Sequence, residues 1–207
     1  MKRGKFLTFE GIDGAGKSTH LAWADAFLRL QGARTVVTRE PGGTFLGEQL
    51  RQILLGGDLR IHAETEALMM FAARRQHLEE LIRPALQRGD WVLCDRFTDA
   101  SFAYQGGGRG VAKDKLEALE RWVHPDLQPD LTLLFDVSAE LGQGRVAATK
   151  SPDRFEREGP EFFNKVRNAY LARLQESPGR MVRIDGSKPI ADVQQDMEQI
   201  FLALWKK

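Results

Sequence analysis

The sequence predicts an α/β protein in three layers, a five-stranded parallel sheet with helices on both faces. Three observations carry that expectation. Five short apolar runs alternate with stretches whose apolar residues recur three and four apart. The first run passes through a glycine-rich loop directly into a helical pattern. Charged residues and glycines gather where the runs stop, the strand ends at which such sheets bind their ligands.

Residues 5–10 form the first expected strand, and Gly11-Ile12-Asp13-Gly14-Ala15-Gly16-Lys17-Ser18 follows it. This run fits G-x-x-x-x-G-K-[ST], and Thr19 to Ala24 continue without a helix breaker. Strand, loop and helix together make a P-loop: glycines let successive N–H groups converge on phosphate oxygens, and the helix adds its positive end. Lys17 is placed to reach the β- and γ-phosphates of a nucleotide, and Ser18 to ligate Mg²⁺. The second strand, 35–39, ends in Arg39-Glu40-Pro41-Gly42-Gly43. Across 65–88 the residues Phe71, Leu78, Leu81, Ile82 and Ala85 share a helical face, with Pro84 expected to kink its end. The third strand, 91–95, buries Cys94 and closes on Asp95-Arg96; Gly106-Gly107-Gly108-Arg109-Gly110 is the most flexible-looking stretch. Strands at 131–137 and 181–184 complete the sheet. A last amphipathic helix carries Ile190, Val193, Met197, Ile200, Phe201 and Leu204.

With 30 basic and 29 acidic side chains the formal charge is +1. No global field therefore draws the chain to nucleic acid or an anionic membrane, and phosphate recognition has to be local. One cysteine excludes an internal disulfide and a Cys-rich metal cluster. No run reaches membrane-spanning length, and the apolar stretch after Met1-Lys2-Arg3-Gly4 breaks at Glu10, too early for a signal peptide. A cytoplasmic enzyme is expected, one domain over residues 1–207 with no linker.

Phosphoryl transfer needs cations and a metal around an anionic group. Arg39 and Arg96, each after a strand end, are candidates for gripping an acceptor phosphate; the alternatives are ion pairs with Glu40 and Asp95. Asp95 is a candidate to hold Mg²⁺ through its water shell. The segment from Arg145 through Lys150 to Arg154 starts as a helix and turns into Lys-Ser-Pro-Asp, a basic loop suited to closing over a donor nucleotide. A solvated charge run is the other reading of it. A guanine-binding switch is disfavoured, since Asn164-Lys165-Val166-Arg167 lacks the Asp of the usual Asn-Lys-x-Asp.

Several separated stretches resemble the thymidylate kinase family in its bacterial form: Phe9 to Thr19, Thr38-Arg39-Glu40-Pro41-Gly42-Gly43-Thr44, Phe71-Ala72-Ala73-Arg74, and Asp95-Arg96-Phe97 on to Ala103-Tyr104-Gln105-Gly106-Gly107-Gly108-Arg109-Gly110. Pro129 to Leu133 and Asp153-Arg154-Phe155-Glu156 extend the match over nearly the whole chain. The resemblance implies a P-loop nucleoside monophosphate kinase domain with a mobile lid at about 145–156. It implies transfer of the γ-phosphate of ATP to dTMP with Mg²⁺, giving dTDP and ADP for dTTP biosynthesis, in a homodimer. Another P-loop kinase of nucleotides or deoxynucleosides is the alternative.

Residue by residue, the resemblance assigns Gly11 to Thr19 to ATP and places Asp13 near the 3′-hydroxyl of dTMP and the metal. Arg74 matches the arginine that hydrogen-bonds thymine; Arg39 and Arg96 match those near the dTMP phosphate, with Pro41 in the same turn. Tyr104 matches the aromatic that crowds the 2′ position, and Ser101 and Gln105 fall where side chains face the base. Gly14 together with Arg145, Lys150 and Arg154 matches the subtype whose lid supplies the catalytic cation. Relatives place a thymine-stacking Phe four residues before the arginine; here that position is Met70, with Phe71 one step later, and either could meet the base.

Overall fold

A computed structural model describes residues 3–56, 59–147 and 153–205, and the structural statements below concern those residues. β1 (Phe6–Glu10), β2 (Thr35–Arg39), β3 (Trp91–Asp95), β4 (Leu131–Asp136) and β5 (Met181–Asp185) form one parallel sheet in the order β2-β3-β1-β4-β5. All five expected strands are present, with ends shifted by one residue at most. β1 is central and buried throughout. Its period of two sends Phe6 into one apolar core while Leu7 and Phe9 enter the other, so both faces of the sheet are covered.

One layer holds α1 (Lys17–Leu30), α8 (Pro160–Glu176) and α9 (Ile190–Trp205), whose Leu28, Val166, Met197 and Phe201 pack with Leu7, Phe9 and Phe135. The other holds α3 (Ala63–His77) and α6 (Lys113–Val123) with Phe71, Leu116, Val92 and Cys94, and α2 (Phe45–Leu55) lies against α3. The expected helix at 65–88 is three pieces: α3, a π-helical turn Leu78–Ile82, and α4 (Arg83–Gln87). Pro84 opens the last of them, because a residue without N–H cannot continue the ladder and the wider turn before it absorbs the mismatch.

The glycine run after β3 is not a loose loop. After the short α5 (Thr98–Ser101), residues Phe102–Gly108 form a second π-helical segment packed on α8. A Cβ on Gly107 would lie 2.5 Å from that of Ala169, so the glycines there serve close approach of backbone to helix. Beneath this contact Asp99 is fully buried and accepts from Arg173 Nε at 3.0 Å and from Arg180 Nη1 at 2.7 Å, tying α5 to α8 and the start of β5. Burial opposes its charge, but the two guanidiniums hold the Asp99 carboxyl below its ordinary pKa. Removing it strands two partly buried cations, so Asp99→Ala is expected to cost about 3–5 kcal/mol in urea unfolding; a loss below about 1 kcal/mol would mean water compensates both.

Candidate active site

The strand-end residues Arg39, Glu40, Pro41, Asp95 and Arg96 line one cavity of about 560 Å³ at the carboxyl edge of the sheet. At one end lies the loop after β1. Gly14 has φ +78°, and a Cβ there would sit 2.1 Å from the Gly142 carbonyl oxygen, so the loop is pressed against α7 (Ala139–Ala147) and tolerates only glycine. α1 begins at Gly16, φ +94°, with no side-chain cap and no acidic residue in its first turn. By contrast, Thr44 caps α2 through Oγ1 to the Gly47 N–H at 3.0 Å. The uncapped N–H groups and dipole of α1 therefore remain for an anion.

Lys17 folds back over the loop, donating to the carbonyls of Gly11 (3.1 Å) and Ile12 (2.9 Å). Burial and then the Arg96 charge lower its pKa, with Asp13, Asp95 and Glu10 acting the other way. Ser18 and Thr19 are exposed in the cavity, whereas the side chains of Ile12 and Ala15 lie in the core, leaving only their backbone to face a ligand. Arg145 lines the same end and donates to the carbonyls of Gly14 at 3.2 Å and Gly186 at 3.0 Å.

For a metal, Asp95 is the informative residue: its Oδ1 is buried and has no hydrogen-bond partner among the described residues, at the edge of the cavity that Ser18 enters. No group of three or more His, Cys, Asp or Glu that could by itself hold a metal ion exists among those residues. That set suits Mg²⁺, which keeps waters and takes phosphate oxygens rather than a full protein cage. The third expected metal residue, Asp13, is instead engaged by neighbouring side chains.

Those neighbours centre on Arg96. Its backbone has φ +70°, a left-handed conformation costly for a residue with a Cβ. The guanidinium donates to Gly11 O (2.8 Å), Asp13 Oδ1 (2.7 Å), Tyr104 Oη (3.1 Å) and Tyr170 Oη (3.2 Å). The expected alternative, an ion pair with Asp95, is not formed. Tyr104 donates in turn to Asp13 Oδ2 at 3.1 Å. Burial works against the Asp13 charge, but Arg96 and Lys17 hold its carboxyl down to about 2.

At the far end Arg74 is buried on α3. Nε donates to Glu40 Oε2 (2.7 Å), Nη1 to Thr98 Oγ1 (3.3 Å), and Nη2 to Phe97 O (3.1 Å) and Ser101 Oγ (3.0 Å). His77 Nδ1 lies 3.0 Å from the other Glu40 oxygen, and its Nε2 2.6 Å from Thr38 Oγ1. Ser101, Gln105 and Met70 line the cavity beside Arg74. Phe71 does not, which corrects its expected place at the base: it is 1% exposed, lies under the Arg74 guanidinium at 4.5 Å and stacks on His124. One residue along a helix is a rotation of about 100°, enough to turn Phe71 into the core and leave Met70 at the cavity.

Arg39 lines the cavity too, paired with Glu48 at 3.0 Å rather than with Glu40, whose carboxylate is taken. Beside it stands Arg51 of α2, which donates to Pro41 O at 2.9 Å; Pro41 itself is a lining residue. Burial and then the Arg39 charge depress the Arg51 pKa, with Glu48, Asp153 and Asp95 acting the other way. Arg154 corrects a second expectation. Instead of facing the donor end it donates to Leu54 O at 2.7 Å and to the buried Glu66 at 2.5 Å, and is not a lining residue. Lys150 lies outside the described residues.

The thymidylate kinase family model matches residues 9–197. The chain belongs to the thymidylate kinase family. It is 58% identical over 205 residues to a thymidylate kinase of Nitrosomonas europaea, covering 99% of this chain and 95% of that protein. To the one from Methylobacillus flagellatus it is 59% identical over 198 residues, 96% and 97% of the two chains. The crystal structure of thymidylate kinase from Ehrlichia chaffeensis superposes with a TM-score of 0.78 at 31% identity, covering 96% of this chain and 99% of that one.

Against that family background, four residues at the site carry no sequence motif that singles them out. Arg51 and Glu66 sit inside ordinary amphipathic helices, and His77 and Tyr170 are single polar residues on buried faces. Tyr170 donates to Glu10 Oε2 at 2.8 Å, and the Phe97 N–H donates to Oε1 at 2.7 Å. Burial and then Asp99 push the Glu10 carboxyl up to about 8, with Arg96 only partly opposing. An unfolded Glu titrates near about 4.3, so between there and about 8 the folded chain holds a proton that the unfolded chain has lost, and stability falls as pH rises. Glu10→Gln is expected to flatten that decline when urea unfolding is followed across the window; an unaltered slope would place the pH dependence elsewhere.

Proposed function

We propose that the protein is an ATP-dependent dTMP kinase, transferring the γ-phosphate of ATP to the 5′-phosphate of dTMP to give dTDP and ADP for dTTP biosynthesis. The observation that supports this best is a single cavity with an uncapped helix start, glycine loop and Lys17 at one end and a buried guanidinium, hydroxyl and amide at the other. Donor phosphates and acceptor base would thereby enter one space from opposite ends, the arrangement that in-line transfer requires.

The roles follow from position. Backbone amides of Gly11 to Thr19 and the Lys17 ammonium receive the ATP phosphates, and Arg145 stands over them. Arg39, Arg51 and Arg96 surround the acceptor phosphate, where repulsion between Arg39 and Arg51 is relieved by a dianion. Asp13 and Tyr104, locked together by Arg96, close the space beside the sugar and disfavour a 2′-hydroxyl. Ser18 and Asp95 would hold Mg²⁺, which would supply positive charge to the transferring phosphoryl group. Residues 145–156 act as the lid of a single domain. With a formal charge of +1 and no described helix able to cross a membrane, its partners are small anions in the cytoplasm rather than nucleic acid or lipid.

The purified protein, given ATP, Mg²⁺ and a panel of nucleoside and deoxynucleoside monophosphates, is expected to form ADP fastest with dTMP. Faster turnover of dCMP, dGMP or dAMP, or of a free deoxynucleoside, would overturn the substrate assignment.

A homodimer is proposed as well. α2, α3 and α6 form one side of the molecule, and that side exposes Phe45 (84%), Ile53, Leu68 and Trp122 (79%). Large apolar side chains grouped on one helical layer are what a second copy would cover. Sedimentation equilibrium is expected to give twice the chain mass, and Trp122→Glu to shift it toward one; a wild-type monomer at micromolar concentration overturns the proposal.

A further inference from the structure

Gln105 lines the acceptor end of the cavity, yet its orientation is decided by a carboxylate behind it. The residue is 1% exposed, and its Nε2 donates to Glu66 Oε1 at 2.8 Å. Glu66 is wholly buried on α3 and is not a lining residue. Its Oε2 accepts from Arg154 Nη2 at 2.5 Å, with Arg109 Nε at 3.7 Å. A carboxylate flanked by two guanidiniums has only lone pairs to offer, so the amide must meet it with its NH₂. The amide oxygen of Gln105, which takes no protein donor among the described residues, is what remains for a ligand.

We propose that Glu66 is a positioning residue for acceptor specificity: by claiming the Gln105 amide nitrogen it presents the amide oxygen to the acceptor base, and so selects a pyrimidine that carries a proton on N3. This rests on the dTMP kinase reading and extends it to a residue that never touches substrate. The neighbouring groups complete the pattern. Ser101 Oγ already accepts from Arg74, so its own proton is free to be given, and both groups present donors suited to a keto oxygen at C4. Thymine offers that oxygen and an N3 proton. Cytosine offers the reverse, an amino group at C4 and a bare N3, and would leave buried donors and acceptors facing their own kind.

The test is the ratio of kcat/KM for dTMP to that for dCMP. In Glu66→Gln the new amide can donate as well as accept, so Gln105 is free to turn its NH₂ into the cavity. The ratio is expected to fall by about tenfold or more, through the KM for dTMP, while the KM for ATP stays within about twofold. In a Gln105→Ala background the same Glu66→Gln change is expected to leave the ratio where Gln105→Ala alone sets it, because no amide is left to orient. Glu66→Asp keeps the charge that Arg154 needs but withdraws the carboxylate from Gln105; it is expected to lower the ratio in the same direction and serves if the Gln variant does not fold. An unchanged ratio in either folded variant, or a Glu66 effect that persists in full without the Gln105 amide, overturns the proposal. A wild-type protein that fails to phosphorylate dTMP would instead sink the functional reading, and this inference with it.

Discussion

The architecture of the site depends on where one cation is held. Arg96 leaves β3 in a left-handed conformation worth roughly 1–2 kcal/mol of strain, and its guanidinium is gripped by a loop carbonyl, a carboxylate and two phenol oxygens. The four partners come from three elements: Gly11 and Asp13 from the loop after β1, Tyr104 from the π-helical segment, Tyr170 from α8. Charge-assisted hydrogen bonds of this kind are about twice as strong as neutral ones, so together they outweigh the strain. The left-handed turn is thus a consequence of where the charge must sit. From that turn the side chain touches the loop after β1, the π-helical segment and α8 at once.

A second constraint follows from the first. A nearly neutral chain gathers Lys17, Arg39, Arg51, Arg74, Arg96 and Arg145 around one cavity, and such a group is stable only if buried carboxylates are distributed among them. At the cavity Asp13 is matched to Arg96 and Glu40 to Arg74, and behind it Glu66 is matched to Arg154 and Arg109 and Asp99 to Arg173 and Arg180. The pairing is uneven in a useful way. Arg74 and Arg96 are each tied to an acid at 2.7 Å and fix the walls, whereas Arg39 meets the half-buried Glu48 and Arg51 a backbone carbonyl, and burial and then the Arg39 charge depress the Arg51 pKa. Preorganised walls beside cations held only by half-buried or neutral partners are what the proposed phosphoryl transfer would draw on, since electrostatic stabilisation of a transition state needs fixed charges already in place.

The sheet was legible because its cause is local. Apolar runs of five or six residues bounded by turn residues have few other ways to fold, and β2 and β3 begin and end where the pattern says. The phosphate loop was legible for the same reason, its glycines and lysine being consecutive. What stayed hidden depends on tertiary neighbours. The glycines at 106–108 look mobile in isolation; only the presence of Ala169 and Phe162 across the contact makes them a packing surface. Met70 and Phe71 are both apolar residues on one helix, and the choice between them is settled by His124, some fifty positions on. Arg51 announces nothing by spacing, because its meaning comes from Arg39 and Pro41 beside it.

Arg145 and Arg154, the two described arginines of the proposed lid, show how that same logic separates residues the sequence treats alike. Arg145 is held by two backbone carbonyls at 3.0 and 3.2 Å. Carbonyls are neutral and readily rehydrated, so exchanging them for a phosphate oxygen gains a charge-assisted bond at little loss. Arg154 is held by a carboxylate that is wholly buried. Pulling it toward a phosphate would leave Glu66 with only the more distant Arg109, and an uncompensated buried charge costs about 3–5 kcal/mol. That cost would also reach the acceptor site through Gln105, which shares the same carboxylate. Of these two, the cation that the proposed reaction can draw onto the donor phosphate is therefore Arg145, while Arg154 stays with the buried Glu66 behind the wall proposed to read the base.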